Sequence, residues 1–192
     1  MASGIHYDLT PMDTMREICR VDTIHRLSGG VNLKLDNLSG VEYLMPGAPI
    51  SVNLTDRTAT AVINVLVVET ASSATEIKIA KGSLAYVGMH VGTGSAGATI
   101  SDIDKSNEAY DKVTVGTAIS VNKGDVLFEA TAVGGTKPKA TATHLNYART
   151  KVESGATVTP VYGAFEVQES HLYQPISVKD KETLTPRFYF IP

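Results

Sequence analysis

The sequence is poor in the residues that most often carry covalent or stacking chemistry. Its one cysteine, Cys19, excludes an internal disulfide framework and a zinc site built from several thiolates. It has no tryptophan, and its aromatic residues are 8 tyrosines and 4 phenylalanines, which leaves few platforms for bases or sugars. The 17 basic residues do not outnumber the 20 acidic ones, so the formal net charge of -3 provides no bulk attraction for nucleic acid.

Long apolar runs and targeting signals are equally scarce. The longest apolar stretch, Ala61–Val68, is interrupted by Asn64 and falls far short of the ~20 residues that a membrane helix needs. The first ten residues contain neither a basic region nor an apolar core, so we expect no secretion signal. We expect the protein to stay in the cytoplasm in which it is made. With 192 residues, 43% of them hydrophobic and 19% charged, the chain is predicted to be a soluble globular protein.

Composition and periodicity both favour strands. Valine and threonine make up about a fifth of the chain, and glycine and proline recur at short intervals, which is typical of short strands and tight turns. Alternation over Val31–Asp36 and Ile50–Leu54 predicts strands with one solvated face. The apolar run Ala59–Val68 has no polar face and is predicted as the central strand of a sheet. We predict an N-terminal arm, residues 1–30, and a single β-rich domain, residues 31–192.

One helix is predicted, and it lies in the arm. Thr10 is a suitable N-cap, Pro11 suits the first helical position, and Asp13 completes a Thr-x-x-Asp capping box. The helical pattern fades after Arg20, where β-branched residues and a glycine pair follow. The apolar face of this helix is expected to consist of Met12, Met15, Ile18 and Cys19.

The β-rich region contains an internal echo. Thr75-Glu-Ile-Lys-Ile-Ala-Lys-Gly-Ser-Leu84 aligns with Thr117-Ala-Ile-Ser-Val-Asn-Lys-Gly-Asp-Val126, 42 residues further on. Each segment predicts strand, glycine turn, strand, and the echo is compatible both with duplication and with two hairpins of independent origin. Gly82 and Gly124 are predicted to be structural turn residues, because glycine tolerates positive φ. The preceding lysines are expected to be solvated.

The sequence contains partial matches to ligand-binding motifs, but the residues around each match do not fit the motif. Gly92–Gly97 satisfies G-x-G-x-x-G, but the following residues alternate as a strand rather than a helix, so the segment is predicted to be a plain glycine loop. Asp102 and Asp104 imitate the start of a calcium loop, whereas Asn107 and Val113 replace the required glycine and glutamate. The five histidines have no metal-binding spacing. We therefore predict no catalytic residues, no cofactor, no metal site and no enzymatic activity.

The C-terminal segment Arg187–Ile191, with sequence Arg-Phe-Tyr-Phe-Ile, is apolar on both faces of any strand that it forms. An exposed strand of this kind would be a template for aggregation. The segment is therefore expected to be buried, either in the core or in a contact between subunits.

A further pattern runs through the β-rich region. Pro46-Gly-Ala-Pro-Ile-Ser-Val52 precedes the aliphatic run that ends at Val68, and then follow Ile77-Lys-Ile-Ala-Lys-Gly82 and Lys123-Gly-Asp-Val-Leu127. These segments carry the patterns P-G-x-P-I-x-V, I-x-I-x-K-G and K-G-D-V-L. In this order they resemble phage and prophage head fibre and head decoration proteins, and the resemblance extends over about residues 41–190.

The resemblance implies a mainly β fold, with a β-clip-like domain or an incomplete β-barrel or sandwich of short strands. It implies a non-enzymatic virion structural protein, made in the cytoplasm of a bacterial host, that binds the outer surface of a phage head. The implied partners are further copies of the chain, as a homotrimer, and the major capsid protein, but neither nucleic acid nor membrane. The competing classes are an extracellular or cell-surface β-rich adhesion module and a small enzyme with dispersed catalytic residues.

The arm is the candidate for the capsid-facing or subunit-swapped part of such a protein, because a short apolar segment before a β core has much to bury. The alternative is that it packs back onto its own sheet. The candidate partner-facing residues are Ile5, Tyr7, Leu9, Met12, Met15 and Ile18.

Overall fold

The structure, a computed structural model, describes residues 16–192. In this range the chain forms short strands, a single α-helix and two 3-10 turns, so the prediction of a mainly β protein is confirmed. The elements are β1 His25–Arg26, β2 Val31–Lys34, β3 Tyr43–Leu44, β4 Pro49–Asn53, β5 Thr58–Ala61, β6 Asn64–Leu66, β7 Ala71–Ile79, β8 His90–Gly92, β9 Gly97–Asp104, β10 Asp111–Val121, β11 Val126–Glu129, β12 His144–Asn146, β13 Thr150–Lys151, β14 Thr157–Val158, β15 Pro160–Gln168, α1 Val178–Leu184, β16 Phe188–Ile191, and the 3-10 turns Val21–Thr23 and Glu169–His171.

The larger of two main sheets has the strand order β1-β15-β12-β4-β5-β2-β14, and β16 pairs with β15 in parallel. Its β2 shows how the alternating pattern determines orientation: Val31 and Leu33 are buried, whereas Asn32 and Lys34 are exposed. A separate two-stranded ladder joins β3 to β13.

The second sheet curls into an incomplete barrel. Its strand order is β6-β11-β8-β9-β10-β7, and its two outer strands approach each other again at an isolated bridge between Val67 and Ile79. The amide of Ala80 donates to the carbonyl of Leu66 at 2.9 Å beside that bridge. The apolar side chains on the inner face, among them Ile77, Ile79 and Ile100, form one buried cluster. The incomplete-barrel alternative of the sequence analysis is therefore confirmed.

Two further apolar clusters lie in and around the larger sheet. One is built on β2, β4 and β5 and contains Val31, Leu44 and Ile50. The other, here called the C-terminal cluster, is formed mainly by β12, β15, α1 and β16. Its buried members are Val62, Ala142, Leu145, Val161, Ala164, Val167, Ile176, Leu184 and Phe188.

The prediction of one central strand over Ala59–Val68 is wrong. The run divides into β5 and β6, which belong to different sheets. Ala61 packs in the cluster on β2, β4 and β5, Val62 in the C-terminal cluster, and Ile63 in the barrel. The run lacks a polar face because it crosses from one core to the next, and not because it occupies the middle of a sheet.

The predicted N-terminal helix begins outside the described residues, and its expected last part, Arg16–Arg20, is not helical. The α-helix in the described part of the chain is α1, near the C-terminus. It begins with a capping box in which the amide of Asp180 donates to the hydroxyl of Ser177 at 3.2 Å and the amide of Ser177 donates to the Asp180 carboxylate at 3.3 Å. The Ser-x-x-Asp signal for this helix is present in the sequence, although no helix is predicted there.

Candidate functional site

Both predicted turn glycines adopt positive φ, at 74° for Gly82 and 93° for Gly124. A β-carbon built on either glycine would meet no atom within 4 Å, so the requirement for glycine comes from the backbone conformation alone. The amide of Gly124 donates to the carbonyl of Val67 at 2.8 Å, which fastens the second turn to the chain that follows β6. Their importance for folding stays a prediction.

The two lysines before these glycines differ, although the echo makes them look equivalent. The ammonium group of Lys81 forms an ion pair at 2.7 Å with the carboxylate of Asp111, whose side chain is 3% exposed. It also donates to the carbonyl of Lys105 at 2.8 Å. Lys123 is exposed. Lys81 is exposed, as expected, but its ammonium group is bound by a partner 30 residues away in the sequence, so the two lysines are not equivalent.

The echoed segments begin in neighbouring strands but do not lie opposite each other. β7 and β10 are antiparallel, with Ile77 opposite Val113 and Ile119 opposite Ala74, so each echoed segment faces residues outside the other. After the turn at Gly124 the chain continues as β11, as predicted, but after the turn at Gly82 it is irregular until His90. The first unit of the echo is therefore not a strand–turn–strand unit.

The G-x-G-x-x-G segment closes a hairpin. Gly92 pairs with Gly97 at the ends of the antiparallel strands β8 and β9, and the amide of Thr93 donates to the carbonyl of Ala96 at 2.9 Å. The backbone of Gly135 packs directly against both glycines, in space that a β-carbon would fill. The prediction of a glycine loop is confirmed, and the glycines serve close backbone packing.

The remaining residues with side chains suited to catalysis or metal binding do not form a common site in the described part of the chain. Asp104 accepts a hydrogen bond from the amide of Ser106 at 2.9 Å, and hydrogen bonds from Ser106 lower the pKa of that exposed carboxyl. Burial raises the pKa of the Cys19 thiol, and the nearby Glu17 raises it further, so the thiol is a poorer nucleophile. Among residues 16–192, no group of three or more histidine, cysteine or acidic side chains is placed to hold a metal ion. No helix in this range is long and apolar enough to cross a membrane.

Besides Asp111, two further buried carboxylates were not predicted from the sequence, and both join separate parts of the fold. Glu129 on β11 accepts hydrogen bonds from Tyr86 and Lys139, each at 2.6 Å, and from Asn37 at 3.3 Å. Burial, and then its hydrogen bond to Glu129, raise the pKa of Tyr86, and the separate hydrogen bond from Lys139 to Glu129 raises the pKa of Lys139. Because Asn37 also donates to the carbonyl of Ala61, this network links the barrel to the larger sheet.

Asp180 on α1 is 1% exposed and is held by neutral donors. Its carboxylate accepts from the hydroxyl of Ser177 at 2.6 Å, from the side-chain amide of Asn64 at 2.7 Å and from the amide of Ala142 at 2.7 Å. These bonds attach α1 to β6 and to the chain before β12. Both carboxylates are engaged with groups of the protein itself, so we assign them to architecture.

A buried histidine lies beneath an aromatic side chain. His144 on β12 is 5% exposed, contacts the hydroxyl of Thr143 at 2.9 Å, and has its ring 5.9 Å from that of Tyr162. Burial lowers its pKa from 6.5 to about 4, and the nearby Arg187 contributes to this shift. The imidazole is therefore neutral at pH 7.

A surface cavity, here called the apolar pocket, has a volume of about 400 Å³. Leu145, Val161, Ala164 and Val167 of the C-terminal cluster line it on one side, so it opens directly onto buried apolar side chains. The opposite side is formed by residues 16–24, which run beside β15: the amide of Gln168 donates to the carbonyl of Ile18 at 2.8 Å. Ile18 is thus the one candidate partner-facing residue in the described range, and it packs against the C-terminal cluster. Ile5, Tyr7, Leu9, Met12 and Met15 lie outside the described residues.

An aromatic surface covers the strands near the C-terminus. Tyr162, Phe165 and Tyr189, here called the aromatic face, are 52%, 50% and 59% exposed on the adjacent strands β15 and β16. The guanidinium of Arg187 lies 4.6 Å from the centre of the Tyr162 ring. Phe188, by contrast, is buried in the C-terminal cluster. One face of the C-terminal strand β16 is therefore buried in the core through Phe188, and Tyr189 is exposed to solvent on the other face.

These features define a mainly β protein whose buried polar groups hold its sheets together and whose exposed apolar groups can contact other proteins. The model of a protein family described as "Head fiber protein" matches residues 3–182. The chain belongs to this family and is a phage structural protein associated with the virion. No significant match was found among curated proteins or among solved structures.

Proposed function

We propose that the protein is a non-enzymatic component of the phage head that binds the outer surface of the capsid as a homotrimer. The observation that carries the proposal is family membership over residues 3–182. The role is mechanical: each copy would bridge neighbouring capsid subunits, and many weak contacts repeated over a shell reinforce each other. Synthesis in the cytoplasm of a bacterial host is part of the same proposal.

The aromatic face supports the self-association part of this proposal. Exposed aromatic groups are costly to leave in water, and aromatic residues are enriched in the centres of protein interfaces. Arginine stacked on tyrosine, as in the Arg187–Tyr162 pair, is a further side-chain combination that interfaces favour. We therefore assign contact with other copies of the chain to this face.

The head contact is assigned to the outer part of the arm. Ile18 packs on its own domain, so we assign the contact with the major capsid protein to Ile5, Tyr7 and Leu9, the candidate residues that are farthest from Ile18 along the sequence. This assignment follows the sequence prediction of a partner-facing arm.

Sedimentation with phage heads that lack the protein tests head binding. The full chain is expected to pellet with heads in a saturable manner, and deletion of residues 1–9 is expected to abolish pelleting while the melting temperature stays unchanged. Full binding by the truncated chain would remove the arm from the contact. Failure of the full chain to bind heads would overturn the proposed function.

Native mass spectrometry tests the trimer separately. Phe165→Ser and Tyr189→Ser are expected to weaken trimer formation about tenfold or more, which corresponds to roughly 1.4 kcal/mol. Leu54→Ser is the matched control, because Leu54 is 55% exposed on a different part of the surface. A chain that is monomeric at micromolar concentration, or a control as damaging as the two variants, would refute this assignment.

A further inference from the structure

The buried carboxylate of Glu129 holds an amine and a carboxamide on its two oxygen atoms. The ammonium group of Lys139 donates to Oε1 of Glu129 at 2.6 Å, and the side-chain amide of Asn37 donates to Oε2 at 3.3 Å. Glu129 and Asn37 are 6% and 3% exposed, so both groups are shielded from water. An amine, an acid–base group and a carbonyl carbon that an amine can attack therefore meet at one point of the fold.

Hydrogen bonds to the backbone hold these residues in place. The backbone amide of Lys139 donates to the backbone carbonyl of Glu129 at 2.8 Å, which keeps the two residues side by side. The side-chain amide of Asn37 also donates to the carbonyl of Ala61 at 2.7 Å. The Lys139 side chain is the mobile member, because its ammonium group lies at the end of a flexible four-carbon stem. Its nitrogen can therefore move from Glu129 to the adjacent carboxamide.

The carbonyl oxygen of the Asn37 carboxamide lacks a hydrogen-bond donor. The nitrogen of this group has two acceptors, whereas its oxygen Oδ1 is buried and accepts no hydrogen bond from the described part of the chain. A buried carbonyl oxygen without a donor costs free energy, and a protonated carboxyl group beside it can supply the donor. Glu129 becomes such a carboxyl group when it takes a proton from Lys139. Proton transfer thus creates the amine and polarises the carbonyl in one step.

We propose that Lys139 and Asn37 form an intramolecular isopeptide bond, with Glu129 as the acid–base group. The ammonium group of Lys139 gives a proton to Glu129, and the neutral amine attacks Cγ of Asn37. A bond forms between Nζ and Cγ, and the bond between Cγ and Nδ2 breaks. The two protons that Nζ loses end on the departing nitrogen, which leaves as an ammonium ion. An ammonium group and a carboxamide thus give a secondary amide and an ammonium ion, and no oxidant is needed.

The resting charge state makes this reaction slow but does not prevent it. The hydrogen bond to Glu129 raises the pKa of Lys139, so the amine is protonated at rest and only a small fraction of molecules can react at any moment. Release of ammonia into solvent makes the step irreversible, so each chain needs to react only once. The Lys139 side chain is 49% exposed, which gives ammonia a path out.

The bond would join the two halves of the fold covalently. Asn37 follows β2 of the larger sheet, and Lys139 follows β11 of the barrel. The single cysteine of the chain cannot provide such a link through an internal disulfide. A covalent link between the larger sheet and the barrel would keep them together under mechanical load. The inference rests neither on head binding nor on trimer formation.

Mass spectrometry of the denatured full chain tests the bond. After prolonged incubation of the folded protein at pH 8, the chain is expected to be lighter than its sequence mass by about 17 Da, the mass of one ammonia molecule. A tryptic digest should contain a branched peptide that joins residues 35–57 to residues 124–149. A mass equal to the sequence mass would overturn the proposal. The same mass loss without the branched peptide, as in cyclisation of an asparagine, would overturn it as well.

Three variants test the role of each group. Lys139→Arg keeps a cation beside Glu129 but cannot attack, because a guanidinium stays protonated, and this variant should keep its full mass. Glu129→Gln removes the proton acceptor and should slow the mass loss at least about tenfold. Lys81→Arg is the matched control, because Lys81 pairs with the buried carboxylate of Asp111 and should not contribute. Mass loss in Lys139→Arg, an unchanged rate in Glu129→Gln, or a full-mass control would each refute the proposal.

Discussion

The ion pair between Lys81 and Asp111 allows a matched test of the two echoed turns. Lys81→Ala would leave the Asp111 carboxylate, 3% exposed, without its cation, whereas Lys123→Ala removes a solvated side chain. Removing one partner of a fully buried pair costs about 3–5 kcal/mol. Because the Lys81 side chain is 35% exposed, water can partly replace it, and we expect a loss of about 2 kcal/mol.

Urea denaturation at pH 7 measures both variants against the unmodified chain. Lys81→Ala should lower the free energy of unfolding by about 2 kcal/mol, or the melting temperature by roughly 4–8 °C for a chain of this size. Lys123→Ala should stay within about 0.5 kcal/mol. The experiment tests the difference between the two losses in the free energy of unfolding. The sequence pattern does not predict this difference.

Asp111→Asn completes a double-mutant cycle. With the charge at position 111 removed, Lys81→Ala should cost less than about 1 kcal/mol, so the two changes should be non-additive by at least about 1 kcal/mol. Equal effects of Lys81→Ala and Lys123→Ala, or additive effects in the cycle, would refute the conclusion that the lysine stabilises a buried carboxylate.

Three further sets of variants test local features of the fold. Gly82→Val and Gly124→Val should each lower the free energy of unfolding, measured by urea denaturation, by roughly 1–3 kcal/mol because φ is positive at both positions. Gly116→Val is the control within a strand, where φ is ordinary, and it should lower the free energy of unfolding clearly less. Equal losses for all three variants would contradict this prediction. Ser177→Ala should lower stability by about 1–2 kcal/mol through loss of the α1 cap, and a loss below about 0.3 kcal/mol would show that the cap contributes little. The pKa of His144 is about 4 in the folded protein and 6.5 in the unfolded chain. Between these two pH values the unfolded chain binds more protons than the folded protein. Up to about 3 kcal/mol of stability is therefore lost as the pH falls from 6.5 to 4. His144→Gln should flatten this part of the pH profile, and an unchanged profile would exclude His144 as its source.

Local features of the sequence predicted local structure well. The alternation in β2 placed Val31 and Leu33 inside, and the glycines at positions 82 and 124 have the positive φ that their turn patterns indicated. The Ser177–Asp180 capping box that begins α1 is an equally local signal, although α1 is not among the predicted elements. Each of these features depends on residues within a few positions of one another, so sequence alone is sufficient to predict them.

Contacts between distant segments were decided by the tertiary structure alone. Lys81 meets Asp111 because β7 and β10 pair in a register that brings residues 79 and 111 opposite each other. Ala59–Val68 reads as one strand, yet the chain crosses between sheets inside it, because a buried position shows the same apolar character whichever core surrounds it. Composition and local pattern determined that the protein is mainly β and that turns lie at Gly82 and Gly124. Pairing register and the path between cores depend on which distant segments pack together, and that choice is not encoded in any short stretch of residues.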